Sequence, residues 1–294
     1  MEKKLLIVGN LAKDIIRGKQ FFGGSAGVIA INATRLGIKS SILSVIGNDQ
    51  FSKKYLDFLK ATGVDITHVY QKVKKIPVCE IEYPFASSLK RVWHDQGALE
   101  AMSALKVDGE WINSFTLIHL VSCPPVLARK ISEVITSDVC LSYEPGPRIL
   151  HSSAYINVKI LKKTKLLFAN EEEIRAVLKV LSLSSVEEIF HLGVEAIVIT
   201  RGKDGSTIYF KVKSSILPLD VRSVDVKAPV VKVIDPTGAG DAYRVGFFYG
   251  YLRGFCWKRC GNLGAKFAAE KLGQLGGIIK KRSLENFRMK LFSS

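Results

Sequence analysis

Residues 230–250 read VVKVIDPTGAGDAYRVGFFYG. A run rich in Val and Ile, Val230 to Ile234, meets a cluster of small residues, and an apolar stretch continues from Ala242 to about Arg253. That order predicts a strand, a tight junction and a long buried helix. At the junction, Asp235-Pro236-Thr237-Gly238-Ala239-Gly240-Asp241 has small side chains, so successive backbone N–H groups can face an anion at the positive end of the helix dipole. Asp241 falls in the first helical turn. A carboxylate there can accept a proton from an attacking hydroxyl while the N–H groups take up developing negative charge, the requirement of phosphoryl transfer. The same residues also fit plain N-capping by an acid after a Gly-rich turn.

The chain upstream alternates between two periods. Strand-like runs at residues 5–9, 40–47 (SSILSVIG), 116–122 (TLIHLVS), 139–143 (VCLSY), 165–170 (KLLFAN) and 196–200 (AIVIT) are separated by helical runs. These helical runs lie at 25–36, 50–63, 125–135, 170–181 and 185–193. Such alternation predicts an α/β fold, a doubly wound and mostly parallel sheet with helices on both faces, in one domain spanning 1–294. Ligands of such sheets bind outside the carboxyl ends of the strands. Residues 76–95 (IPVCEIEYPFASSLKRVWHD) alternate apolar and polar with no helix beside them, which predicts a small β lid over that edge.

Composition narrows the function classes. With 47% hydrophobic residues in 294, the chain can bury a core without disulfides. No apolar run approaches the length needed to cross a bilayer, and MEKKLLIVGN opens on a strand rather than a secretory signal, so a cytoplasmic protein without a membrane partner is expected. The five cysteines (Cys79, Cys123, Cys140, Cys256, Cys260) contain no C-x-x-C pair and fit reduced thiols. Cys256 and Cys260 share a helix face, but a metal would need two further ligands. The net charge of +16 attracts anions, yet the basic residues are scattered and no zinc-finger, RNP or basic-zipper pattern is present, so no nucleic-acid partner is expected.

Competing motifs fail on spacing. The Gly-Lys pairs, Gly18-Lys19 and Gly202-Lys203, are followed by Gln20 and Asp204 rather than Ser or Thr, which excludes a P-loop. Gly238-Ala239-Gly240 would open a dinucleotide fingerprint, but its third glycine position is Tyr243. Gly23-Gly24-Ser25-Ala26-Gly27 matches the hydrolase elbow, although Arg17 to Phe22 is a poor buried strand to lead into it.

DPTGAGDAYRVGFFYG resembles the signature of the ribokinase-like, PfkB-type family of sugar and nucleoside kinases, and the resemblance covers nearly the whole chain. GGSAGVIAINATRLG (23–37) and IGNDQFSKKYLDFLKATGVDITHV (46–69) resemble its amino-terminal glycine motif and the following helix; LLFANEEEI (166–174) resembles its Asn-x-x-Glu motif, and VITRGKDG (198–205) its nucleotide-side turn. The resemblance implies an ATP-dependent kinase with Asp241 as the base and Gly238, Ala239 and Gly240 as the anion hole. It implies that Asn170 and Glu173 hold Mg²⁺ through water and the ATP phosphates, that Thr200, Gly202 and Gly205 lie on the nucleotide side, and that Asp14 binds substrate hydroxyls. Gly23, Gly24 and Gly27 would let backbone approach the substrate. Asp235 matches a residue that in some members helps bind a monovalent cation such as K⁺. Locally, Asn170 with Glu173 also fits a helix cap with an acidic first turn, and Gly202 and Gly205 a tight turn.

Two departures concern the substrate. Val28 stands where the family usually has Asn, and the stretch between Asp14 and Gly23 is short for the first lid strands. Within the family the bacterial-type adenosine kinase branch looks closest, on GGSAG, GNDQFSKKYLDFL, WHDQGALEAM and DPTGAGDAYRVGF with Arg244. A nucleoside acceptor such as adenosine is therefore expected ahead of a sugar or polyol (ribose, fructose or inositol). Val28 would widen an apolar slot for a base, with Tyr83, Phe85 and Trp93 as aromatic candidates to line it. A homodimer through the lid is the assembly the resemblance would allow.

Overall fold

The structure is a computed structural model, and it describes residues 3–85, 88–212 and 220–292. The chain runs β1 (Lys4–Gly9), β2 (Ala12–Ile16), β3 (Lys19–Gly23), α1 (Ser25–Arg35), β4 (Lys39–Gly47), α2 (Gln50–Thr62), β5 (Asp65–Val73), β6 (Val78–Phe85) and β7 (Ser88–His94). It continues through α3 (Ala98–Ser103), α4 (Gly109–Asn113), β8 (Leu117–Val121), α5 (Pro125–Val134), β9 (Cys140–Glu144), α6 (Val158–Leu161), β10 (Thr164–Asn170) and α7 (Glu171–Leu181). The last part comprises β11 (Ala196–Thr200), β12 (Ser206–Val212), β13 (Asp220–Val226), α8 (Ala239–Tyr251), α9 (Trp257–Leu272) and α10 (Lys281–Phe292).

Nine strands form the main sheet in the order β13-β12-β11-β10-β9-β8-β1-β4-β5. The pairs from β11 to β5 are parallel, and β12 and β13 are added antiparallel at one edge. Along β1 the side chains divide between two cores: Leu5 and Ile7 join the cluster beneath α1, α2, α8 and α9, and Leu6 and Val8 the cluster beneath α3, α4, α5, α6 and α7. Alternate residues of a strand point to opposite faces, so a strand covered on both sides must be apolar nearly throughout, as β8 is apart from His119. The doubly wound expectation holds. The register Gly9↔Val121↔Glu144 and Asn170↔Thr200 lines up the ends of β1, β8, β9, β10 and β11 along one edge.

A second sheet, β3-β2-β6-β7, rises from that edge directly after β1. Residues 76–95 supply its β6–β7 hairpin, as expected, while the supposedly short stretch after Asp14 supplies another. Arg17 and Gly18 both have positive φ (50° and 73°), the backbone of a two-residue hairpin turn, so ten residues suffice for β2 and β3. A strand does lead into Gly23-Gly24-Ser25-Ala26-Gly27, but it is an edge strand with Lys19 and Gln20 exposed.

Two other expectations need correction. Val230 to Ile234 form no strand: β13 already fills the ladder of β12, ending with Val226 opposite Ser206, and Pro229 lacks an N–H to extend it. These residues run irregularly, with Val230, Val231, Val233 and Ile234 exposed. Residues 185–193 make only a 3₁₀ turn, Glu187–Leu192, which stops at Gly193 with φ of 109°.

Candidate active site

α8 begins where the sequence places it. Gly238 is its N-cap with φ of 74°, and no side chain caps the helix, so its first-turn N–H groups are left for backbone or ligand partners. A Cβ on Gly238 would lie 2.8 Å from Gly277 Cα, which explains why only glycine serves there. Pro236 O takes the Ala239 N–H at 3.2 Å, closing the turn ahead of Gly240 and Asp241.

Around Asp241 the fold gathers residues from distant parts of the chain. Tyr55 of α2 is fully buried and donates its hydroxyl to Gly23 O at 2.9 Å. Burial drives its phenol pKa well up, and the carboxylates of Asp14 and Asp241 push it further. Asp14, itself buried, lies against Gly23: a Cβ there would come within 2.1–2.3 Å of its carboxyl group. The glycines of the amino-terminal motif therefore make room for protein atoms. Gly23 makes way for Asp14, and Gly27 for the Tyr55 hydroxyl, 1.9 Å from where its Cβ would stand. Gly24 has φ of 78° and abuts Asn10 O and Leu11 Cα.

Asn170 and Glu173 occupy the end of β10 and the first turn of α7. Asn170 Oδ1 accepts from the N–H groups of Glu172 and Glu173 at 2.9 Å, and Glu173 Oε2 accepts from Asn170 N at 2.9 Å, a reciprocal capping box. Thr200 is Asn170's neighbour on β11. Gly202 (φ 55°) turns in open space, whereas Gly205 (φ 88°) packs so tightly that a Cβ would meet Val226 O at 2.0 Å. These last two positions form the turn into β12. Among the described residues no group of three or more His, Cys, Asp or Glu side chains is arranged to hold a metal. Asn170 and Glu173 carry oxygen donors of the kind that Mg²⁺ accepts beside phosphates and water.

A buried polar network beneath the site has no counterpart in the sequence reading. Arg244, one turn beyond Asp241, pairs with Glu144 at the end of β9, and its guanidinium lies 5.8 Å from the Phe168 ring of β10. His119 of β8 stands 3.7 Å from Glu144 and 3.0 Å from Ser142 Oγ. Burial raises the Glu144 pKa against the pull of Arg244, and burial followed by Arg244 depresses His119 well below its ordinary value, so His119 is neutral. The available signal was an Arg inside a helix otherwise apolar from Ala242 to Gly250, which cannot stay buried unpaired. Asn10, at the end of β1, has a buried Oδ1 with no hydrogen-bond partner among the described residues; no motif pointed to it.

Asp235 is fully buried, as is Lys271 of α9. The ammonium of Lys271 donates to Asp235 O (2.5 Å) and Gln274 O (3.3 Å) and stands 3.7 Å from Asp235 Oδ2. Burial lowers its pKa to about 8 against the attraction of Asp235 and Asp241, so it is charged at neutral pH. The oxygens expected to meet K⁺ at Asp235 thus face a resident ammonium, and the residues do not fit an added cation. Val28 also departs from expectation. It is buried and would be 2.9 Å from a Cβ on Gly277, so in this structure it braces the loop behind Gly238. Tyr83 and Phe85 fall on β6, but their side chains lie outside the described residues.

A carboxylate in the first turn of a glycine-capped helix, at the carboxyl edge of a doubly wound sheet, is an arrangement that a phosphotransferase with an alcohol acceptor can use. The description pfkB family carbohydrate kinase matches residues 3–283, and the chain belongs to that family. It is 28% identical over 264 residues to a nucleoside kinase of Methanocaldococcus jannaschii, covering 88% of this chain and 82% of that one. It is 25% identical over 284 residues to an ATP-dependent 6-phosphofructokinase of Thermoanaerobacterium thermosaccharolyticum, covering 92% and 84%. The crystal structure of Burkholderia thailandensis nucleoside kinase in complex with inosine superposes with a TM-score of 0.79 at 21% identity, over 99% of both chains.

Proposed function

We propose that this chain transfers the γ-phosphate of ATP to a hydroxyl of a nucleoside. One observation carries the choice of acceptor. By register, Asp14, Phe21, Cys79 and Trp93 sit side by side across the small sheet, with Ile16 and Ile81 beside them and Lys19 and Arg91 at the two ends of that second row, so a single carboxylate stands among apolar neighbours with basic residues only at the rim. That face suits a ribose hydroxyl held by Asp14 and a flat base beside it, whereas a polyol would need several polar partners. Trp93 Nε1–H is buried with no partner among the described residues, a donor suited to a base heteroatom. The nucleoside kinase relative and the inosine complex agree with this reading.

In the mechanism Asp241 takes the proton of the acceptor hydroxyl as its oxygen attacks the γ-phosphorus, and ADP departs. The first-turn N–H groups of Gly240 and Asp241 in α8 face the phosphoryl oxygens as charge develops, while Ala239 N–H closes the turn onto Pro236 O. Asn170 and Glu173 would hold Mg²⁺, with Thr200 beside Asn170 on the nucleotide side. When bound, Mg²⁺ neutralises phosphate charge. The small sheet acts as the lid that keeps water from the γ-phosphate, its Arg17 reaching Ile234 O at 3.4 Å on the approach to the anion hole.

A screen of ATP consumption across adenosine, inosine, cytidine, ribose, fructose, fructose 6-phosphate and inositol tests the acceptor. Turnover of nucleosides alone is expected. Phosphorylation confined to free sugars, inositol or fructose 6-phosphate would replace this reading with the sugar-kinase one, which the phosphofructokinase relative favours.

A further inference from the structure

The Lys271 ammonium joins two segments that build the anion hole. Through Asp235 it holds the approach to Gly238, and through Gln274 O it holds the loop that continues to Gly277. The Asp235 carboxylate completes the link: Oδ1 accepts from Thr237 N at 2.8 Å and Oδ2 from Gly276 N at 2.7 Å. Gly277 backs directly onto Gly238, and Asn32 of α1 clamps the loop from behind, donating to Gly277 O at 3.1 Å and accepting from Ile279 N at 3.0 Å. Two main-chain carbonyls and a carboxylate oxygen converging on one point form the all-oxygen surroundings that a weakly hydrated monovalent cation prefers. Here the point is taken by a covalently tethered –NH₃⁺. A buried carboxylate such as Asp235 needs a counter-charge, and Lys271 supplies it within the chain.

We propose that Lys271 is the built-in cation of this kinase: its ammonium does the work of a bound monovalent ion in fixing the 235–238 and 274–277 segments, so turnover needs no K⁺. Lys271 is a positioning residue that acts through Asp235 on the anion hole. This rests on the kinase reading for its activity arm only.

The test compares the full chain with Lys271→Ala and Lys271→Met in buffers whose only monovalent cation is tetramethylammonium, Li⁺, Na⁺, K⁺ or NH₄⁺. The unaltered protein should show rates within about twofold across the series and an unchanged melting temperature. Both variants should lose at least ~10-fold in kcat in tetramethylammonium; K⁺ or NH₄⁺ should recover most of it in Lys271→Ala while Li⁺ does not, and no cation should in Lys271→Met, whose terminal methyl blocks the emptied position. The melting temperature of Lys271→Ala should rise by a few degrees, about 2–5 °C, with K⁺ at 0.1 M and above, through linkage to the refilled site, and that of Lys271→Met should not. The methionine keeps the stem packed and removes only the charge. The proposal is overturned if K⁺ stimulates the unaltered protein several-fold, if Lys271→Ala responds equally to every cation, or if both variants stay unfolded even in K⁺ and NH₄⁺. The melting arm reads the cation site whatever the acceptor is, so an absence of kinase activity would defeat the proposed function and leave this inference still decided.

Discussion

Gly27→Ala gives the sharpest test of how the site is assembled. The added Cβ would lie 1.9 Å from the Tyr55 hydroxyl, 2.8 Å from Leu11 Cδ2 and 2.9 Å from Tyr55 Cζ. Tyr55 has nowhere to go: its ring stacks on Phe22 at 4.6 Å and its hydroxyl is held by Gly23 O. Overpacking of this kind costs roughly 1–3 kcal/mol, and an unpaired buried carbonyl at Gly23 a further ~1–3 kcal/mol. Alanine returns about 1 kcal/mol in helix propensity, leaving a net loss of about 1–5 kcal/mol and a fall in Tm of roughly 2–8 °C. Because Gly23 abuts Asp14, the KM for the acceptor should rise more than that for ATP. In a Tyr55→Phe background the closest clash is gone, so Gly27→Ala should cost less there, with a coupling of about 1–2 kcal/mol by denaturant unfolding. A Gly27→Ala protein melting within about 1 °C of the unaltered one, or additive effects in the cycle, would refute the reasoning and return Gly27 to a role against the substrate.

Asp241→Asn keeps the shape of the proposed base and removes its proton affinity. Its kcat should drop by at least ~10²-fold while Mg²⁺-ATP still raises the melting temperature, and near-normal turnover would remove Asp241 from the role. Arg244→Met leaves the Glu144 carboxylate buried beside a neutral His119, so unfolding in urea should show a loss of about 3–5 kcal/mol. Replacing both partners, Arg244→Met with Glu144→Leu, should be less destabilising than the single change; an equal or larger loss would show that the pair itself contributes the stability.

The sequence by itself determined the periodic elements. A strand buried on both faces and a helix with one apolar stripe carry their period in their own residues, so β4, β8, β9, β10, β11, α2, α5 and α7 could be placed within a residue or two. The junction at Asp235 to Asp241 was equally legible, because a glycine-capped helix start is a local event. Val230 to Ile234 show the limit: their composition suits a strand, but a strand exists only where a ladder partner remains, and β13 had already taken it. The same limit governs the site. Glycines 23 and 27 mark close approach, yet only the packing of α2 and β2 reveals that the approaching atoms are the Tyr55 hydroxyl and the Asp14 carboxylate. Asp235 could be read as a cation ligand, but which cation it meets was decided by Lys271, 36 residues away on α9. Burial of a charge is a property of the folded whole, and its partner is chosen by whichever element the tertiary structure brings within reach.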